Sequence, residues 1–322
     1  MKKILVTGAS GFIGKNLMKE LIKRKFQTVG VLRKNKINLK KYSKKNYIFV
    51  DQINSDTNWT NALSNIDLVI HCAGLSNDND TNNTDSFSNY WTLNVDGTKN
   101  LVEQASKLGV KRIIYISTVK VHGERSDKFK AISHKNKVFT ETNYSKSKYE
   151  AEKAIKKISS NTNLEYVIIR SPIVYGAGVG GNFLKLMTYI KKGIPLPLGS
   201  VQNVRSFISI NNLIDFIVLC ATKSSAVNET FLVSDNHHLS TVELIKKIAS
   251  MMGKKINLLN VPIPFLKLLG FIFKKSNYID RLTNSLQVDI SHACKKLNWK
   301  PPFNTNGELK KMIDSFLNKS LR

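Results

Sequence analysis

The chain has 322 residues, 42% of them hydrophobic, enough to bury a large core as one domain with a smaller lobe. Fifty basic residues against 23 acidic ones give a formal charge of +27, but the lysines are spread along the chain without a basic tail, an aromatic–basic motif or zinc-finger spacing. That pattern excludes nucleic acid as the expected partner and leaves the charge as an attraction for small anions. In chain order, Lys3–Thr7 reads as an apolar strand ending in a glycine turn, and Phe12 to Arg24 has helical periodicity through Ile13, Leu17 and Leu21. Thr28–Leu32 and Tyr47–Val50 read as the second and third strands. Asp67–His71 and Arg112–Ser117 are further strands, with a helix from about Asn94 to Lys107 between them. Tyr144 and Lys148 open the next helix, and Tyr166–Arg170 follows as a strand. This alternation predicts an α/β fold with a doubly wound parallel sheet, and the continuously apolar strands agree.

After about Gly176 the rhythm changes to glycine–proline clusters and longer helices, read as a smaller C-terminal lobe. The expected division is a dinucleotide-binding domain at 1–175, rejoined by the chain at about 206–235, and a substrate lobe at 176–205 and 236–322. The stretch Asn77 to Asn89, rich in Asn, Asp, Ser and Thr, reads as a polar loop over the site. Cys72, Cys220 and Cys294 are far apart with no C-x-x-C, which argues against disulfides or a zinc site and fits a reducing, cytoplasmic setting. No signal peptide or membrane span is visible. The amphipathic run Pro264 to Lys275 has two readings, packing within the lobe or peripheral membrane contact.

Thr7-Gly8-Ala-Ser-Gly11-Phe-Ile-Gly14 sets three glycines between a strand and a helix. A tight turn, close backbone approach to a pyrophosphate and a helix N-terminus facing phosphate all need that pattern. At the end of the second strand, where NAD sites usually offer an acid to the ribose, the chain has Arg33 and Lys34, so NADP(H) is favoured over NAD(H). Asp51, after the third strand, suits the adenine amino group or a turn. Tyr144 and Lys148 are four apart, on one helix face, where a cation lowers a phenol pKa that starts near about 10 and makes the tyrosine an acid/base.

Together these residues resemble the extended short-chain dehydrogenase/reductases, in the nucleotide-sugar epimerase/dehydratase group. The match runs through TGASGFIG at 7–14, VIHCAG at 69–74, NVDGTKNLVE at 94–103, YISTVKVHGE at 115–124, YSKSK at 144–148, RSPIVYG at 170–176, VRSFISINNL at 204–213 and KKLNWKP at 295–301. The resemblance implies a Rossmann-type fold, a nucleotide-sugar substrate, and a homodimer formed through the helices following Asn94 and Tyr144. By position it makes Thr118 the hydroxyl on the reacting sugar oxygen, Tyr144 the acid/base and Lys148 the clamp on the nicotinamide ribose. It implies cofactor contacts at Gly8, Ser10, Gly11, Phe12, Ile13, Gly14, Arg33, Asp51, Ala73, Tyr144, Lys148 and Pro172. Substrate contacts are expected at Thr118, Asn182, Arg205 and Arg281.

Two departures stand out. His122 replaces the family's usual tyrosine, either as a tolerated substitution or as a titrating group. Asn212 replaces an aspartate, with an effect expected only on helix capping. His71 reads as a satisfied strand-end residue without metal-ligand company. Val119 and Lys120 stand where sugar dehydratases carry an acid pair. The segments Ser117–Glu124, Phe231–Asp235 and Ser285–Asp289 are similar to enzymes that reduce UDP-4-keto-6-deoxy-N-acetylglucosamine to UDP-N-acetylquinovosamine for surface polysaccharide. With Arg33, they make a 4-ketoreductase the expected activity, and a UDP-glucose or UDP-N-acetylglucosamine 4-epimerase the alternative. A non-enzymatic NADP(H)-binding protein is the third reading, opposed by retention of Thr118, Tyr144 and Lys148.

Overall fold

The computed structural model describes residues 2–34, 46–76, 84–127 and 130–319. Among the described residues there are ten strands: β1 Lys3–Thr7, β2 Gln27–Arg33, β3 Tyr47–Val50, β4 Leu68–His71, β5 Arg112–Thr118, β6 Glu165–Ser171, β7 Ile173–Tyr175, β8 Arg205–Ser209, β9 Glu229–Leu232 and β10 His238–Leu239. Seven of them form one sheet in the order β3-β2-β1-β4-β5-β6-β9, with every neighbouring pair parallel. The chain winds outward from β1 to β3, then crosses over to β4 and winds the other way. The strand order therefore reverses between β1 and β4, and ligands of such sheets sit outside the carboxyl ends of the strands at that point.

Both faces of the sheet are covered, which is why β4 and β5 are buried along their whole length. Alternate residues divide between the faces. Ile4, Val6, Ile70 and Ile114 pack with helices Phe12–Lys23 and Ile210–Thr222. Leu5, Val69, Ile113 and Tyr115 pack with helices Gly97–Lys107 and Asn143–Ser160. The helix Asn143–Ser160 of the second pair carries Tyr144 and Lys148, so the core of that face is also a platform of the site.

A second sheet has the order β10-β8-β7, with β7 and β8 parallel and β8 and β10 antiparallel. Helices Gly181–Lys191, Thr241–Met251 and Thr305–Lys319 pack around a third cluster that includes Phe183, Met187, Ile245, Ile248 and Met312. Within 206–235 the chain divides its pairing: β9 joins the main sheet beside β6, whereas β8 pairs with β7 in the second sheet.

Two local features differ from the pattern read in the sequence. Residues 77–83 of the expected polar loop lie outside the described residues, but Thr84–Tyr90 is helical. Aromatic residues at helical spacing hold it, with the Phe87 and Trp91 rings 5.1 Å apart and Tyr90 buried 6.0 Å from the ring of Tyr144. The expected helix from Asn94 begins with a π-helical turn, Trp91–Asp96, before regular α-helix resumes at Gly97. Such turns swing a side chain off the regular helical path and often mark functional sites.

Candidate active site

Gly8 sits at φ 67° and accepts a hydrogen bond from the Gly11 amide at 2.9 Å. A Cβ on Gly8 would come within 2.7 Å of the Ala73 nitrogen, and one on Gly14 within 2.2 Å of the Gly8 oxygen. These backbones therefore meet only because Gly8 and Gly14 lack side chains. The helix then starts at Phe12 with no side-chain cap on Gly11. The amides of Phe12, Ile13 and Gly14 lack intrahelical acceptors by geometry, beside an exposed Ser10. This cradle fits a dinucleotide pyrophosphate, and anions are stabilised at such a terminus.

His71 is fully buried between Thr7 Oγ1, 2.6 Å from Nδ1, and Thr98 Oγ1, 2.9 Å from Nε2. Thr7 also accepts from the Ala73 amide at 3.3 Å. These bonds lock the ends of β1 and β4 at the switch point. Burial, with the Lys148 charge nearby, lowers the His71 pKa to about 3. His71 is thus a neutral structural bridge.

At the adenosine side, Arg33 ends β2 in register with Val50, which places Asp51 beside the strand end. Lys34 is ion-paired to Asp51 at 2.9 Å. One of the two cations read from the sequence, Lys34, thus pairs with a carboxylate that comes from the next strand.

Tyr144 and Lys148 lie on the first turns of helix Asn143–Ser160. Thr142 caps that helix by accepting from the Ser145 amide, and Ser145 returns the contact. Lys148 is buried, its Nζ 4.1 Å from the centre of the Tyr115 ring. Burial lowers its pKa to about 7, opposed by the charge of Glu152 one turn on. Asn94, from the π-helical turn, accepts from the Leu75 amide at 2.8 Å and donates to Ser147 Oγ at 2.9 Å. A Cβ on Gly74 would lie 3.3 Å from Asn94 Oδ1 and 3.6 Å from Lys148 Nζ. Asn94 therefore pins the loop after β4 to the Tyr144 helix. The motif NVDGT pointed to this residue, but only the π turn reveals its job.

Thr118 ends β5, buried, and its Oγ1 accepts from the Lys120 amide at 3.3 Å, which leaves the hydroxyl hydrogen for another oxygen. Ala73 and Pro172 line the same strand ends from β4 and β6 and are buried. Lys120 is also buried and pairs with Glu124 at 3.0 Å, while Arg281 Nε lies 4.0 Å from the same Glu124 oxygen. Arg205 is buried and donates from Nη1 to the carbonyls of Arg281 and Asn284 at 2.7 and 2.9 Å. Desolvation lowers its pKa to about 10, and Glu124 opposes that shift. Asn182, exposed at the start of helix Gly181–Lys191, accepts from the Tyr278 hydroxyl at 2.6 Å. Arg205, Arg281 and Glu124 thus form one cluster, and Asn182 joins it through the helix Ser276–Thr283 that carries both Tyr278 and Arg281.

Behind Thr118 a buried network was not read from the sequence. Glu152 accepts from Ser117 Oγ and pairs with Arg170, whose Nη1 lies 2.7 Å from His122 Nε2. Arginine can only donate, so His122 Nε2 accepts and its Nδ1 donates to the Lys137 carbonyl at 3.1 Å. Burial and Arg170 both push the His122 pKa down, which makes it a fixed acceptor. Asn212 likewise does more than cap a helix. Its amide donates to Asp235 at 2.7 Å and to the Phe303 carbonyl at 2.9 Å.

A glycine cradle at the switch point thus stands beside a helix that carries Tyr144 and the buried Lys148 and a strand that ends in Thr118. The family model described as NAD dependent epimerase/dehydratase family matches residues 4–234. The chain belongs to that family. This family member is 41% identical over 323 residues to a UDP-glucose 4-epimerase of Vibrio cholerae, covering 100% of this chain and 97% of the relative. It is 28% identical over 275 residues to an N-acetyl-alpha-D-glucosaminyl-diphospho-ditrans,octacis-undecaprenol 4-epimerase of Escherichia coli O157:H7, covering 84% of this chain and 78% of the relative. Among solved structures, its fold is similar to the UDP-glucuronic acid 4-epimerase of Bacillus cereus in complex with NAD. That likeness has a TM-score of 0.79 at 23% identity and covers 98% of this chain and 99% of the other.

Proposed function

We propose that this member of the epimerase/dehydratase family is a UDP-hexose 4-epimerase that retains NAD through the cycle. The observation that carries the reading is the 41% identity, over the full chain, to the Vibrio cholerae UDP-glucose 4-epimerase. The glycine cradle and the buried Lys148 support it chemically. A bound nicotinamide would supply both the acceptor for the C4 hydride and, once reduced, its donor to the opposite face. Tyr144 takes the proton of the sugar 4-hydroxyl and returns it after the ketone has turned its other face. To act as base near neutrality it needs its pKa lowered by about 3 units, roughly 4 kcal/mol of differential stabilisation, and Lys148 one turn away is the group that provides it. Thr118 donates to the reacting oxygen and fixes its position. In this reading Asn182, Arg205 and Arg281 hold the diphosphate side, and the Lys34–Asp51 pair leaves the β2 end less cationic than its sequence.

A second reading, 4-keto reduction of a UDP-sugar with NADPH, keeps one specific support: Arg33 at the end of β2, suited to a 2′-phosphate. The two readings separate on cofactor traffic. Purified protein should release NAD on denaturation, detected by mass spectrometry, and should interconvert UDP-glucose and UDP-galactose without added cofactor. Stoichiometric NADPH consumption with a UDP-4-keto-6-deoxy sugar, and no interconversion, overturns the epimerase reading.

A further inference from the structure

The helix Ile263–Ile272 and the residue after it expose more apolar surface than any core function explains. Phe271 is 77% exposed, Phe273 66%, Ile272 60%, Leu268 53% and Phe265 52%. At about 100° per residue, Phe265, Leu268, Phe271 and Ile272 share one side of the helix, within about 120° of arc. Only Leu266 and Gly270 are buried on the opposite side. Gly270 seats the helix on the next one, Ser276–Thr283, where an added Cβ would come within 2.8 Å of Ile279. The inward face is thus fully used, and the outward face is unpartnered among the described residues.

The surroundings of this face are cationic. Along the chain on either side of it, between 244 and 279, there are seven lysines and no aspartate or glutamate. Lys267 borders the apolar arc, with Asp280 3.8 Å away as its partner, and Lys274 and Lys275 close the helix end. Lys185, on helix Gly181–Lys191, approaches the Tyr278 ring at 5.9 Å. A short helix with exposed phenylalanines and flanking lysines matches the chemistry of an anionic lipid surface, where the rings enter the acyl boundary and the ammonium groups meet phosphate. A second copy is a poorer occupant, because it would bring the same lysines against each other.

We propose that Ile263–Phe273 is a peripheral docking helix for anionic membrane. It is too short to span and lies along the interface. The helix that follows carries Tyr278 and Arg281, hydrogen-bonded to Asn182 and Arg205. Docking would therefore hold the substrate lobe against the bilayer.

Co-sedimentation of the full chain with vesicles tests this independently of the catalytic assignment. Wild type should bind vesicles of equal parts phosphatidylglycerol and phosphatidylcholine, and not pure phosphatidylcholine. Binding should weaken as salt rises from about 0.05 M to about 0.5 M. Phe271→Asp with Phe273→Asp should reduce binding to the anionic vesicles by at least about tenfold, while Tm and turnover of soluble nucleotide sugar stay at wild-type values. Wild type failing to bind anionic vesicles, or the double variant binding as wild type does, overturns the proposal. So does a dimer that the double substitution converts to monomer in sedimentation velocity, because the face then belongs to a second copy.

Discussion

Glu152 and Arg170 form a buried ion pair, Oε2 to Nη2 at 2.5 Å and Oε1 to Nε at 3.1 Å, one helical turn beyond Lys148. Glu152 also accepts from Ser117, the neighbour of Thr118, and Arg170 donates to His122. The pair thus ties together the helix of Lys148, the strand end of Thr118 and the strand that leads to Pro172.

Removing one partner should leave an uncompensated buried charge. Glu152→Gln is expected to cost about 3–5 kcal/mol. At roughly 1.5 °C per kcal/mol for a chain of this length, calorimetry should show Tm falling by at least about 4 °C. Glu152→Gln combined with Arg170→Met should recover part of that loss, because neither charge then remains.

Tyr144→Phe removes the proton acceptor without changing the helix. Turnover should fall by about 10²- to 10⁴-fold, the usual worth of a general acid/base. Cofactor affinity, followed by fluorescence titration, should stay within about threefold of wild type. Near-normal turnover would remove Tyr144 from the mechanism.

Lys148 makes stability depend on pH in a definite direction. Its pKa in the folded protein is about 7, below an unfolded value near about 10.4. Between the two the unfolded chain holds one more proton, so stability rises with pH from about 7 to about 10. Below about 7 both states are protonated and the whole cost of burying the ammonium is present. Lys148→Met should therefore raise Tm at pH 6 by at least about 2 °C while abolishing turnover. The gain should shrink at pH 9.

His71 acts at the acid end. Its folded pKa of about 3 lies below the unfolded value near about 6.5. The unfolded chain takes up a proton first, so stability is lost as pH falls from about 6.5 to about 3. Urea titrations of wild type and His71→Gln over that range should show the variant less stable at pH 7, by roughly 1–3 kcal/mol for its lost buried hydrogen bonds. Its dependence on pH between those values should be shallower.

Arg33 decides the cofactor question. In the epimerase reading, Arg33→Ala should leave the Kd for NAD within about threefold, and wild type should bind NADP at least about tenfold more weakly than NAD, a difference of about 1.4 kcal/mol. Isothermal titration with both cofactors measures this. Tighter binding of NADP, lost on Arg33→Ala, would support the reductase reading.

Much of the fold was legible because periodicity is local. Strands β1 to β6 and the helices Phe12–Lys23, Gly97–Lys107 and Asn143–Ser160 followed from short apolar runs and 3.6-residue spacing, and the three glycines of the cradle from a motif of eight residues. The helix Thr84–Tyr90 looks like loop in sequence because polar composition outweighs Phe87, Tyr90 and Trp91, whose spacing matters only against Tyr144. Glu152 reads as one more charged residue on an exposed-looking helix until β5 and β6 deliver Ser117 and Arg170 to it.

By itself the sequence determined the chemistry available at each position: which backbones approach without side chains, which residues donate or accept protons, and in which elements they lie. Tertiary structure alone decided which of those groups meet. Asp51 reaches Lys34 only through the parallel pairing of β2 and β3. Asn94 reaches Ser147 only because a π-helical turn redirects it. His122 became an acceptor because Arg170, 48 residues away, was brought to it. Electrostatic environment depends on distance in space and on exclusion of water, and neither is written in neighbouring residues.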